Sequence, residues 1–374
     1  MQRELGGVDW EVKLEGMNTT DTWECIKKHI VEVTEKYVPM KSQHRKTKKS
    51  RWITKQSLVC IQRRGDAWKT YRNCRTQRNY DRYKKLRNET TDQIREDKEA
   101  FQKDLISKFN KNPKRFYGYV RTLRKVRQEI VNIRRSDGSL TETDQQAAEE
   151  LCMNFEKVFV NEPSLLLSHG QRSDMVIHFE ERDIEGRLKR LVTNKSPGPD
   201  GIHPLLLQRC AEQLSKPIKI MFEKSMGEGK VPDDWKRANI SAIYKKGDKC
   251  EAGNYRPISV TSILCKTMES VIRDQLLRRL ESQGVLSNQQ HDFTKHRSCL
   301  TNLLETFESW TRLIDEGFGV DVIYLDYSKA FDTVPHRRLL QKLADYGITG
   351  NVLRWIEEYL TGRKMRVRVR GHES

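Results

Sequence analysis

Long apolar runs are missing from this sequence. Only 36% of its 374 residues fall in the AVILMFWYC set. No run approaches the roughly 18 consecutive apolar residues of a membrane-spanning helix. The opening decapeptide MQRELGGVDW lacks an apolar core segment and does not read as a secretory signal. Paired cysteines are missing too. The eight cysteines, at 25, 60, 74, 152, 210, 250, 265 and 299, form no CxxC. A disulfide framework, a disulfide-linked partner and a thiolate-rich zinc site are therefore not expected, and scattered thiols suit a reducing compartment. Glycine-rich phosphate loops are absent as well: nothing matches GxxxxGK[ST] or GxGxxG, which excludes a P-loop and a dinucleotide fingerprint.

What the chain has in excess is positive charge, and it is unevenly placed. Lys and Arg number 70 against 52 Asp and Glu, a formal net charge of +18. Residues 41–130 alone hold 28 cations and 9 acids, so the remainder is close to neutral. The run KSQHRKTKK places Lys41, Arg45, Lys46, Lys48 and Lys49 together, followed by Arg51 and Trp52. Residues 68–87 then set Arg72, Arg75, Arg78, Arg82, Lys84 and Lys85 among Trp68, Tyr71, Tyr80 and Tyr83. Cations meet phosphates and rings stack on bases, so this mixture suits a nucleic acid. The plainer alternative is a solvated basic helix whose rings pack on a neighbour. Composition does not choose RNA over DNA, and nothing in it fixes an oligomeric state.

The length suits two or three domains. Residues 21–38 carry Trp23, Ile26, Ile30 and Val33 at helical spacing, closed by Pro39. Residues 57–127 read as long polar helices broken near Asn112-Pro113. Thr141 with Asp144 resembles a helix start. Residues 161–179 show no sustained period and read as a linker. Beyond it come a short helix through Ile184 and Leu188, the loop NKSPGPDGIHP (194–204), and a helix from about Leu205 to Met226 with Pro217 as a kink or join. ANISAIY (238–244) reads as a strand, and helices are expected over 264–280, 300–316, 336–345 and 350–360. VDVIYLD (320–326) and MRVRVRG (365–371) read as strands.

The densest chemistry lies in DVIYLDYSKAFDTVPH, residues 321–336. A strand that ends in a carboxylate presents that charge at a sheet rim, where hard cations such as Mg²⁺ find oxygen ligands. Asp326 is in phase with Val322 and Tyr324, while Asp321 faces the other way. Asp332 follows a turn, where it can cap the next helix or bond nearby backbone. Two-metal phosphoryl transfer requires at least two carboxylates. Residues 333–374 supply no second acidic cluster on a strand. Lys245 and Lys246 follow one strand, and Pro257 holds Arg256 extended. A fixed Arg with one or two Lys suits a triphosphate, although each alone is ordinary surface charge.

The series NKSPGPDGI, VPDDWKRANISAIYKKGD, NYRPIS, LSNQQHDF, VDVIYLDYSKAFDTVPH and GITGNVLRWIEEYLTGRKMRVRV resembles the reverse transcriptase of non-LTR, LINE-type retrotransposons, the jockey-like and chicken-repeat branches most. The resemblance is strong over about residues 180–374 and weaker over 1–160. It implies an α+β fold: a partial right-hand polymerase, fingers and incomplete palm, over residues 181–374. A basic, mostly helical nucleic-acid-binding region (1–160) and a linker (161–180) precede it. It implies that Asp326 is the first catalytic aspartate and a Mg²⁺ ligand, with the Tyr327 carbonyl as a further ligand. Phe331 would be the gate against a 2′-hydroxyl, Asp332 a structural member of the motif, and Arg256, Lys245 and Lys246 contacts to the incoming dNTP. The SPGPDG loop would lie near the template. The implied partners are an RNA template, a DNA primer or target, and dNTPs. The implied reaction is attack of a primer 3′-hydroxyl on the α-phosphorus of a dNTP.

Departures from the family pattern are also expected to matter. Asp292-Phe293-Thr294 stands where the family has Gly-Phe-Arg. The Gln-Gly motif, the Ala-Asp-Asp hairpin and the thumb do not follow the first aspartate motif. The expectation is therefore a fragment that is inactive alone. The competing expectation is a non-enzymatic RNA- or DNA-binding protein using residues 41–130, and a third is an interaction protein with incidental basicity. The KTKK cluster (46–49) suits nuclear import and a nucleic-acid arm equally, which leaves an intracellular site in nucleus or cytoplasm.

Overall fold

The computed structural model describes residues 1–39, 50, 52–110, 112–123, 130, 132–159 and 175–374. In chain order the helices are α1 (Gln2–Gly6), α2 (Trp10–Leu14), α3 (Thr19–Tyr37), α4 (Lys55–Asn73), α5 (Gln77–Ser107), α6 (Pro113–Leu123), α7 (Asp144–Glu156), α8 (Glu181–Lys189), α9 (Pro204–Arg209), α10 (Ala211–Glu228) and α11 (Asp233–Lys236). Strands β1 (Arg237–Tyr244) and β2 (Tyr255–Val260) follow, then α12 (Ile263–Ser282), α13 (Cys299–Asp315), α14 (His336–Asp345) and α15 (Gly350–Leu360), and finally β3 (Lys364–Val369) and β4 (His372–Glu373). The fold is mixed α+β, and the four strands among the described residues form one sheet in the order β2-β1-β3-β4. β1 pairs antiparallel with β2 and parallel with β3.

Packing divides the chain differently from the expected split into 1–160 and 181–374. One compact unit joins residues 1–39 to 130–374, and the other is residues 40–129. The expected linker falls mostly on residues 160–174, outside the described residues. Residues 1–39 join the larger unit because α3 buries Trp23, Ile26, Ile30 and Val33 against the same core as α10. Trp23 meets Trp235 edge to face at 5.3 Å, and Phe222 of α10 completes the cluster. A second core lies between the sheet and α7, where Leu151 and Phe155 pack with Ile240, Val367 and Val369.

Three local expectations are corrected. The cap of α7 is Thr143 with Gln146, a reciprocal capping box, and not Thr141 with Asp144. Thr141 is buried instead, and its hydroxyl accepts the Ile133 N–H at 2.8 Å. Pro217 sits within α10, and the join falls at Cys210, whose backbone leaves helical values while its side chain is fully buried. VDVIYLD forms no strand. Among the described residues nothing pairs with it, and a strand without a ladder partner leaves its N–H and C=O groups to water. Ile323, Tyr324 and Leu325 are each more than 80% exposed.

Candidate nucleotide and nucleic-acid sites

The β1–β2 hairpin gathers the cations that the sequence singled out. Arg256 lies opposite Ile243, and Tyr255 opposite Tyr244. Pro257, which has no N–H to donate, is tolerated because β2 is the edge strand. The turn is held by the Lys245 N–H on the Asn254 carbonyl at 2.8 Å and by the Tyr244 hydroxyl on the Gly247 carbonyl. Gly247 is required there: its φ is +91°, and a Cβ would fall 2.6 Å from Asn254 Nδ2. Lys245, Lys246 and Arg256 are all exposed, and none has a carboxylate partner among the described residues. The hairpin is thus a rigid mount for three solvated cations.

The acidic segment is arranged quite differently. Asp326, Tyr327 and Asp332 are exposed, and Phe331 is 79% exposed. The Lys329 carbonyl accepts the N–H groups of Asp332 and Thr333 at 2.9 and 3.1 Å, in a tight turn with Lys329 at φ +52°. Helix α14 begins at Pro335 with no side-chain cap, so Asp332 does not cap it. Phe331 meets Phe293 edge to face at 5.8 Å, which ties the DYSKAF segment to the QQHDF segment. The side chains gathered here do not make a complete Mg²⁺ site. Among the described residues no three His, Cys, Asp or Glu side chains converge to hold a metal. A single exposed carboxylate and a carbonyl do not hold two divalent ions.

Several positioning residues escaped the sequence reading. His291 is buried, with Nδ1 2.9 Å from Thr301 Oγ1 and Nε2 3.1 Å from Glu305; Arg297 pairs with the same Glu305 at 3.5 Å. This group fastens the QQHDF loop to α13. In the SPGPDG loop, Gly198 lies so close to the Thr261 carbonyl that a Cβ would fall 2.7 Å from it. Asp200 Oδ1 accepts the Ile202 N–H at 3.2 Å, and its Oδ2 is buried. Burial pushes the Asp200 carboxyl up. Nearby, Asp234 accepts from Trp23 at 3.2 Å and pairs with Lys27. Burial opposes the charge on Asp234, but Lys27 and Trp23 hold its carboxyl below the usual range. The only sequence signal for this link was an acid pair beside Trp235.

The unit of residues 40–129 is built on an antiparallel pair, α4 and α5. Asp97 accepts from the hydroxyls of Thr54 and Ser57, both at 2.6 Å, and Thr90 donates to the Cys60 carbonyl at 3.1 Å. Toward the turn the two helices are joined by rings: Trp68 lies 4.9 Å from Tyr83, and Tyr71 5.3 Å from Tyr80. The rings thus pack on one another, as the plainer sequence reading allowed. Arg72, Arg75, Arg78, Arg82, Lys84 and Lys85 are exposed, with no ion pair among the described residues. Lys41, Arg45, Lys46, Lys48, Lys49 and Arg51 lie outside the described residues.

Comparison with known proteins points one way. Residues 243–374 match the reverse transcriptase (RNA-dependent DNA polymerase) family. The chain is 28% identical over 211 residues to the probable RNA-directed DNA polymerase from transposon X-element of Drosophila melanogaster, covering 56% of this chain and 23% of that protein. It is 26% identical over 199 residues to the corresponding protein from transposon BS of the same species, covering 51% and 21%. It is 28% identical over 176 residues to the Pol polyprotein of a type-1 retrotransposable element R2 of Popillia japonica, covering 46% and 23%. The chain spans about a fifth of the length of these curated relatives.

Proposed function

We propose, on the premise that residues 243–374 belong to the reverse transcriptase family, that this chain supplies the fingers and first palm segment of an RNA-directed DNA polymerase and does not extend primers by itself. The observation that carries the reading is that the matched region contains Lys245, Lys246, Arg256, Asp326 and Phe331. In this reading the hairpin cations attract the triphosphate of a dNTP, because unpaired, solvated charges on a rigid turn are free to meet phosphate oxygens. Phe331 flanks the sugar, and Phe293 sets its orientation. Asp326 and the Tyr327 carbonyl contribute to a metal site that other carboxylates must complete. The substrates are an RNA template, a DNA primer and dNTPs.

Primer extension on poly(rA)/oligo(dT) with Mg²⁺ or Mn²⁺ tests this. The chain alone is expected to incorporate nothing, and incorporation abolished by Asp326→Ala would overturn the inactive reading. Fusion to the downstream polymerase segment of the X-element relative is expected to restore incorporation, with loss on Asp326→Asn. A fusion that works equally well with Asp326→Asn removes that residue from the site.

The unpaired cations of the α4–α5 hairpin favour a second role, binding of nucleic acid without chemistry. It shows as a salt-dependent mobility shift that needs neither dNTP nor metal.

A further inference from the structure

The α4–α5 hairpin is electrically polarised along its length. Residues 67–88, which include its turn, hold eight Lys and Arg against one acid, Asp81. Residues 89–107 hold three cations against six acids. At this end charges are used internally, as in the Arg95–Glu99 pair at 3.4 Å and the Lys108–Asp104 pair. At the turn end, among the described residues, Lys69 alone has an acidic partner, Asp66 at 3.9 Å, and Arg87 donates to Asn88 at 3.1 Å. Arg78, Arg82 and Lys85 recur at i, i+4 and i+7, so α5 presents them as one stripe about 10 Å long. The stripe runs into a groove of about 580 Å³ whose lining includes Arg63, Thr70, Arg82 and Lys85. Asp66 and Glu89 also line it, beside Ala67 and Leu86.

The rings decide what such a surface can read. Single strands are held largely by bases stacking on free aromatic faces. Here Trp68, Tyr71, Tyr80 and Tyr83 pack on one another in tilted pairs, within α4 and across to α5, with centroids 4.9 to 5.7 Å apart. They brace the prong against itself and occupy part of each ring's surface, while Trp68 and Tyr80 keep 45% and 37% exposure. What is left for a ligand is a row of free cations on a straight helix, matched to the closely spaced phosphates of a duplex.

We infer that the turn end of the α4–α5 hairpin is a docking prong for duplex nucleic acid, gripping the phosphate backbone without reading sequence and without base stacking. The inference rests on the second role proposed above and not on polymerase activity. The full chain is titrated with a short labelled RNA duplex, the RNA–DNA hybrid and DNA duplex of the same sequence, and the single RNA strand, over a range of salt. Duplexes are expected to bind tighter than the single strand, and the order among the three identifies the favoured form. The Arg78→Gln, Arg82→Gln, Lys85→Gln triple variant is expected to weaken duplex binding at least about tenfold and to make the log–log salt slope shallower by about 3. Arg78→Lys with Arg82→Lys, which keeps the charge, is expected to stay within about twofold of the original chain, because the contact is to point charges. Tyr80→Leu is expected to leave duplex binding unchanged. Unaltered binding by the Gln variant while the parent chain binds overturns the prong but leaves nucleic-acid binding standing. Equal loss in the Lys and Gln variants overturns the phosphate reading. Tighter binding of the single strand, lost with Tyr80→Leu, overturns the duplex reading in favour of stacking. Failure of the parent chain to bind any of the four at low salt overturns both roles.

Discussion

Helices α12 and α13 follow one another in the chain and meet opposite fates. α12 buries Ile263, Leu264, Cys265, Met268, Val271 and Ile272 against α8 and the core around Phe222. α13 has the cleaner apolar stripe, with Leu300, Leu303, Leu304 and Phe307 at helical spacing, yet it buries none of its residues. The same contrast separates β1, paired on both sides, from VDVIYLD, which pairs with nothing among the described residues. An amphipathic pattern specifies a face that favours leaving water; whether a partner covers it is decided elsewhere in the molecule. Leu304, Phe307, Tyr324 and Leu325 all leave apolar surface exposed.

The largest test of this contrast is on the packed side. Trp23→Ala removes a 1%-exposed ring from Trp235 and the hydrogen bond to Asp234, and a loss of about 3–5 kcal/mol is expected by urea denaturation. A near-neutral result would detach α3 from the core. A smaller effect of opposite sign is expected from Asp200→Asn. The folded pKa of Asp200 is raised above its usual value of 3.8, so the protonated acid is the form that folding favours. The stability this contributes is present below about that pH and lost as pH rises through the folded pKa. Asp200→Asn should therefore raise the melting temperature at pH 7, with the gain shrinking toward pH 4; a gain independent of pH would break the assignment. The smallest effect belongs to the open side. Leu304→Gln with Phe307→Gln should change stability by less than about 0.5 kcal/mol while lowering binding of a hydrophobic dye. A loss above about 2 kcal/mol would show that the α13 face is covered in solution.

Much of the local structure could be read directly from residue order. Pro39 closes α3, the break before Pro113 falls between α5 and α6, and the hairpin around KKGD joins β1 to β2, because capping, proline and turn chemistry act within a few residues. The site was legible only in part. Lys245, Lys246 and Arg256 were each singled out, and the structure sets them together on one hairpin, which their sequence alone did not state. Asp326 was placed on a strand, and the strand fails because its stability depends on partners distant in sequence. The Trp23–Lys27–Asp234 and His291–Glu305 links went unread for the same reason: nothing near either partner announces the other.

By itself the sequence determined the concentration of positive charge in residues 41–130, the long polar helices α4 and α5 within them, and a motif series similar to the reverse transcriptase family, whose model matches residues 243–374. Charge and short-range chemistry are properties of the chain wherever it goes. Tertiary structure decided that residues 1–39 join the core, that the rings of the basic hairpin pack on one another, and that α13 and the Asp326 segment lie uncovered. Those outcomes depend on which surfaces meet, and burial stabilises a face only when a second surface arrives to exclude water from it.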